Sequence, residues 1–104
     1  MINKQKIRFP ITLNEFARFQ REGMGREPDT SELQIFEDCV KTANRVYFAA
    51  TIGDADTAES IINNINKERK QNPQITKYLE LYLGWALLGL KQGTEALEAV
   101  MGEG

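Results

Sequence analysis

The side chains that could do chemistry in this sequence are few, and histidine is not among them. Without histidine the chain lacks the commonest general base and the commonest metal ligand. The single cysteine, Cys39, lies between Phe36 and Ala43 on an apolar stripe, and a thiol in that setting is usually an inert small hydrophobe. Because no histidine is present to activate it, we expect no nucleophilic catalysis from Cys39.

Carboxylates are more numerous, but their spacing favours neither catalysis nor metal binding. Glu37 and Asp38 are adjacent, so on a helix their side chains point about 100° apart and do not share a proton. Asp54, Asp56 and Glu59 could begin a calcium loop, yet the further oxygen ligands and the central glycine of an EF-hand do not follow them. Helix capping explains the same three residues. We therefore predict a protein that is not an enzyme and that uses no metal or cofactor.

The composition of the whole chain bounds its size and its compartment. A chain of 104 residues is predicted to form one domain, and 41% hydrophobic with 27% charged residues is typical of globular proteins. One cysteine permits no internal disulfide, which fits a reducing cytoplasm. The opening stretch MINKQKIRFPITLNEF has neither a long apolar run nor a cleavage pattern, so it predicts no signal peptide. We expect a cytoplasmic protein.

The first residues predict an extended arm followed by a well-capped helix. Apolar and polar residues alternate in KIRFPI, so residues 1–11 are predicted to be an extended arm that is partly mobile up to Pro10. Thr12 and Glu15 then fit a capping box. The first helix is therefore predicted over residues 13–22.

Residues 12–104 as a whole are predicted to form an all-α domain of five helices with short connections. Apolar residues at steps of three and four define the buried faces. Helices 2–5 are expected to form two antiparallel hairpins with helix 1 packed across them and helix 4 at the centre. Helix 2 is predicted to begin at Asp29 or Thr30 and to end at Ile52, with Gly53 after it. Helix 3 is predicted to have Asp56 as its cap, and Asn72–Pro73 precedes helix 4, which covers residues 74–91. Gly93 is expected to stop helix 4, and Thr94 to cap helix 5.

Charge is segregated along the chain even though the net charge is only −2. Residues 1–26 carry six basic and two acidic residues, whereas residues 27–64 carry eight acidic and two basic residues. The two regions could complement each other in the fold. Alternatively the basic residues contact nucleic-acid phosphates, although the acidic start of helix 2 does not favour this. The candidate phosphate contacts are Lys4, Lys6, Arg8, Arg18 and Arg21.

The stretch YLELYLGWALLGLKQG is the most apolar part of the chain. It contains fewer than the about 20 apolar residues that a membrane span requires, and Glu80 interrupts it, so no membrane helix is predicted. Tyr78, Tyr82, Trp85 and Gly89 form one stripe of the predicted helix. Five short helices are too few to enclose a helix that is apolar on nearly all sides. We therefore expect the N-terminal arm, a second copy or a partner helix to cover this stripe.

Small residues recur in a regular pattern through the second half of the chain. The pattern has two parts. An alanine with a large residue four positions later occurs twice, once after the GDADTA turn and once near the end of the sequence. A Leu-Gly pair lies between these two occurrences. The residues are Ala58 and Ile62, then Leu83-Gly84 and Leu87, then Ala96 and Val100. In this pattern the region 42–101 resembles tetratricopeptide-type helical hairpins. The resemblance implies stacked helix pairs that bind other proteins, and the same residues are also expected in any tightly packed helical hairpin.

Together these features predict a small cytoplasmic protein-interaction factor that acts through a helical surface. An adaptor, an assembly or secretion chaperone, and an inhibitor of a larger protein machine all fit this description. The expected partner is another protein or a second copy, in a heterocomplex or a homodimer. The alternative is a nucleic-acid-associated accessory protein that uses the basic N-terminal segment.

Overall fold

Four α-helices make up nearly all of the part of the chain that the structure describes. The computed structural model describes residues 7–72 and 76–102. Its helices are α1 (Leu13–Met24), α2 (Thr30–Thr51), α3 (Ala55–Gln71) and α4 (Thr76–Gly102). The all-α prediction is confirmed, but within the described residues the number of helices is four and not five.

Predicted helices 4 and 5 are one continuous helix, so the predicted stop at Gly93 and the cap at Thr94 are wrong. A Cβ placed on Gly93 would lie 2.5 Å from the Tyr47 carbonyl oxygen and 2.6 Å from the Ala50 Cβ. The glycine is therefore a contact point at which the backbone of α2 approaches α4. Glycine inside a helix costs about 1 kcal/mol relative to alanine, and close packing on α2 offsets this cost.

The arrangement of the helices also differs from the predicted pair of antiparallel hairpins. In the N-terminal halves of α2 and α4, the Tyr82 hydroxyl of α4 donates a hydrogen bond to the Ile35 carbonyl of α2 at 3.1 Å. Further along, Gly93 lies against Tyr47. The two helices therefore run parallel and in direct contact, and α3 runs back in the opposite direction, packed on both, after the chain reverses at Gly53. The architecture is an up–down–up arrangement of α2, α3 and α4, with α1 packed on α2.

Local capping produces most of the helix boundaries. Thr12 caps α1 as predicted, Asp29 and not Thr30 is the one of the two predicted candidates that caps α2, and Gly53 adopts the predicted left-handed conformation with φ 77°. The cap of α3 is Asp54 and not Asp56, because Asp54 directly follows the left-handed glycine and its carboxylate accepts a hydrogen bond from the amide of Thr57, the third residue of the helix. The predicted start of helix 4 at Asn72–Pro73 lies partly outside the described residues.

Residues 7–11, which we call the N-terminal segment, belong to the core. Ile7, Phe9 and Ile11 are all buried. The Gln92 side chain accepts a hydrogen bond from the Phe9 amide at 3.1 Å and donates one to the Ile7 carbonyl at 2.7 Å. The Asn44 side chain binds both the amide and the carbonyl of Ile11, at 2.9 and 2.8 Å. These contacts hold the N-terminal segment on α2 and α4, while the rest of the predicted arm lies outside the described residues.

The junction between α1 and α2 is stabilised by a charged cluster around Glu32. Both terminal nitrogens of Arg26 approach its carboxylate oxygens, at 2.8 and 3.0 Å. The Asp29 amide donates to the same carboxylate at 3.1 Å. These hydrogen bonds lower the pKa of Glu32 from its ordinary 4.5 to about 2. The side-chain bond from Arg26 has the largest effect, and the backbone bond from Asp29 has the next largest.

Replacing Glu32 with glutamine is therefore expected to give a stability defect that depends on pH. A carboxyl group whose pKa is depressed by folding stabilises the protein above its unfolded pKa, and this contribution is lost as pH falls from about 4.5 toward about 2. Urea unfolding should show the variant to be less stable than the wild type near neutral pH, and the difference should disappear in acid. Glu22→Gln, at an exposed position of α1, controls for the charge change. A defect of the same size at every pH would contradict this prediction.

Candidate protein-binding surfaces

Trp85 of the predicted partner-binding stripe lies under α1. Its side chain is only 8% exposed. The Trp85 ring centroid is 4.7 Å from that of Phe16 and 6.2 Å from that of Phe19, both of which project from α1. Aromatic pairs at these separations pack favourably. Trp85 therefore anchors α1 to α4 and presents little surface to a partner.

The other stripe residues also contact the chain itself. Tyr82 is half-buried with its hydroxyl bound to α2, and burial raises the pKa of Tyr82 to about 12. A Cβ on Gly89 would lie 2.7 Å from the Ala43 carbonyl oxygen and 3.3 Å from the Phe9 ring, so the N-terminal segment and α2 both cover this position. Tyr78 is half-buried.

The spacing of small residues along α4 indicates that these stripe positions face inward. Ala86, Gly89 and Gly93 follow Tyr82 at steps of four, three and four, which places all of them on one face of α4. Each of the three small residues is buried in the structure. Such a row allows a neighbouring helix to approach closely. In the structure, α2 of the same chain is the helix that approaches at Gly89 and Gly93.

The predicted basic residues do not all remain available to a phosphate. Arg8 and Arg18 are exposed. Arg21 is engaged, because its Nε lies 2.9 Å from an oxygen of Glu27. Lys4 and Lys6 lie outside the described residues. The Arg21–Glu27 ion pair joins the basic and the acidic regions of the sequence, as the Arg26–Glu32 pair also does. This observation supports charge complementarity within the fold, and a nucleic-acid contact stays a prediction.

Cys39 is buried where α2 meets α4. Its Sγ lies 4.0 Å from the Leu81 carbonyl oxygen, and burial raises the pKa of the thiol to about 12. The thiol is therefore protonated at neutral pH, whereas a cysteine nucleophile would need to be a thiolate.

The acidic side chains that could bind a metal have other partners or lie apart. Asp54 already accepts hydrogen bonds from the amide and hydroxyl of Thr57. Among residues 7–72 and 76–102, no group of three or more acidic, cysteine or histidine side chains could hold a metal ion.

The side of α4 that points away from α2 is open. We call it the outer face of α4; its residues Glu80, Gly84, Leu87 and Lys91 are all exposed. A Cβ placed on Gly84 would meet no atom within 4 Å, and the Leu87 side chain is 46% exposed. An open groove of about 490 Å³ runs along this face, with Leu81, Trp85 and Leu88 also in its lining.

A second exposed apolar surface lies where α2 and α4 end. Gly93 packs beside Tyr47, and a Cβ on Gly53 would lie 3.6 Å from the Leu97 side chain, so the two C-terminal ends are at the same end of the molecule. We call this surface the apolar end. It carries Phe48, Ile52, Val100 and Met101, which are 51%, 76%, 72% and 69% exposed.

Comparison with known proteins identifies no family for this chain. No protein-family model, curated protein or solved structure matches the chain. Over the described residues, none of the helices combines the length and the apolar character that crossing a bilayer requires. The geometry of the two exposed apolar surfaces is therefore the basis for a functional proposal.

Proposed function

We propose that the protein is a small interaction factor that binds another protein through the apolar end. The observation that carries this proposal is that four large apolar side chains, each more than half exposed, lie on the ends of two neighbouring helices. Single exposed apolar side chains are normal on any protein, whereas a group of them marks an interaction surface. Burying such side chains against a partner removes apolar surface from water, which drives association.

The part of the apolar end that α2 contributes is held in place by local contacts. The amides of Gly53 and Asp54 bind the carbonyls of Ala50 and Ala49, at 3.1 and 2.9 Å, which closes the end of α2. The Phe48 ring packs edge-on against Tyr47 with centroids 5.4 Å apart. A surface that is already ordered loses little conformational entropy on binding.

An adaptor, an assembly or secretion chaperone, and an inhibitor of a larger protein machine would each use such a surface. The lack of a thiolate at Cys39 and the engagement of Asp54 in capping support a binding role over a catalytic one. We also propose a cytoplasmic location, because a single buried thiol at Cys39 is suited to a compartment in which disulfides do not form.

The test is capture of proteins from a lysate of the native organism by the wild type and by two variants. Ile52→Ser combined with Val100→Ser removes the two most exposed apolar side chains, one from each of the adjacent helix ends. Leu33→Ser, at the opposite end of α2 and 37% exposed, is the matched control. Circular dichroism melts should show that all three proteins stay folded, because each substituted side chain is exposed.

We expect quantitative mass spectrometry to find a protein that the wild type and the Leu33→Ser control capture and that the double variant loses. Equal capture by the double variant and the control would contradict the proposal. Failure of the wild type to enrich any protein over a bare matrix would also contradict it.

A further inference from the structure

The outer face of α4 complements itself when one copy is reversed against another. Glu80, Gly84, Leu87 and Lys91 are spaced by four, three and four residues, so the spacing is the same in both directions. A two-fold axis between Trp85 and Ala86 would place each Glu80 opposite the Lys91 of a second copy. The same axis would place each Gly84 opposite a Leu87.

We propose that a second copy of this chain binds here, with the two α4 helices antiparallel. A two-fold interface uses the same patch on both subunits, so the patch must be its own complement in shape and charge. The outer face of α4 meets this condition. The proposed dimer uses a different surface from the apolar end and does not depend on the function proposed for that end.

Shape complementarity comes from Leu87 and Gly84. Leu87 projects from the outer face, whereas Gly84 leaves a gap with no atom near the position of a Cβ. In the antiparallel arrangement each Leu87 enters the gap at the Gly84 of the other copy. The flanking side chains of Leu81 and Leu88 are partly buried apolar walls of the same groove. The contact therefore buries apolar surface on both sides, as the centre of a stable interface does.

Charge sets the direction of the pairing. The Glu80 side chain is 62% exposed and lies 4.0 Å from Arg69 of its own chain, at the limit of an ion pair, so its carboxylate can also accept a lysine ammonium. Antiparallel helices bring Glu80 and Lys91 together twice. A parallel pairing in register would instead oppose Glu80 to Glu80 and Lys91 to Lys91. Exposed ion pairs add little affinity but discriminate well between arrangements.

The size of the surface sets the expected strength. Stable dimer interfaces bury about 1,600 Å² in total. One face of a single helix offers less than this, so we expect a reversible dimer with a dissociation constant in the micromolar range.

The test is sedimentation velocity of the full chain over a range of concentrations, with two charge variants studied alone and mixed. Lys91→Glu opposes two carboxylates at each end of the proposed interface, and Glu80→Lys opposes two ammonium groups. Each variant alone should dimerise at least about tenfold more weakly than the wild type, because like charges face each other. An equimolar mixture of the two should recover dimerisation, since Glu80 then meets Lys91 at one end and the two new residues meet at the other.

Two further variants separate the proposed interface from other surfaces and from folding defects. Gly84→Leu fills the gap and should abolish dimerisation while the protein stays folded, because no atom lies near the Gly84 Cβ position. Ile52→Ser, at the apolar end, should dimerise as the wild type does. A wild type that is monomeric at all concentrations, or a mixture that associates no better than its components, would overturn the proposal.

Discussion

Replacing Gly93 with alanine is expected to lower the free energy of unfolding by about 3 kcal/mol, although alanine is the better helix former. The added methyl group would lie 2.5 Å from the Tyr47 carbonyl oxygen and 2.6 Å from the Ala50 Cβ. Both of these atoms are held by the backbone of α2 and cannot rotate away. The two helices must therefore separate, which weakens the packing along their whole contact.

Gly84→Ala is the matched control, because it makes the same change in the same helix where no atom lies within 4 Å of the new Cβ. It should stabilise the protein by up to about 1 kcal/mol through helix propensity alone. Urea unfolding should be measured at a protein concentration that keeps all variants monomeric. If both substitutions changed stability in the same direction, the close approach of α2 to α4 at Gly93 would be wrong.

Replacing Phe16 with alanine is expected to cost about 3–5 kcal/mol, as truncation of a fully buried aromatic side chain usually does. Phe16 has no exposed surface and lies between Phe36 and Trp85, with ring centroids 5.3 and 4.7 Å away. Because small domains are stable by only about 5–15 kcal/mol, this loss removes a large part of the total. The side chain joins α1 to both α2 and α4, so its removal should loosen α1 in particular.

Phe48→Ala controls for the chemistry of the change, because Phe48 is half-exposed and should cost less than about 1 kcal/mol. Urea unfolding gives both values, and fluorescence of Trp85, the single tryptophan, reports on α1 directly. In the Phe16→Ala variant a water-soluble quencher should reach Trp85 more readily than in the wild type. Equal losses of stability for Phe16→Ala and Phe48→Ala would contradict the packing of α1 described above.

The features that depend on neighbouring residues were predictable from the sequence. The cap of α1 at Thr12, the cap of α2 at Asp29 (one of its two predicted candidates) and the chain reversal at Gly53 all arise from hydrogen bonds or backbone conformations within a few residues. The all-α class follows from apolar spacing along each helix.

Which helix faces are buried depends on contacts between residues that are distant in the sequence. The buried faces were therefore less predictable than the helix caps. Phe9 is bound by Gln92, 83 residues away, and this contact helps to place residues 7–11 of the predicted arm in the core. Nothing local to either residue indicates that they meet. The placement of Trp85 under α1 depends in the same way on Phe16 and Phe19.

The glycines of α4 show the distinction within one helix. Gly84, Gly89 and Gly93 have the same intrinsic freedom, and the helix stop predicted at Gly93 does not form. In the folded chain Gly89 and Gly93 lie against the backbone of α2, whereas Gly84 faces away from it. The difference arises because α2 can contact only one side of α4. The opposite side, with Gly84 and Leu87, is left exposed.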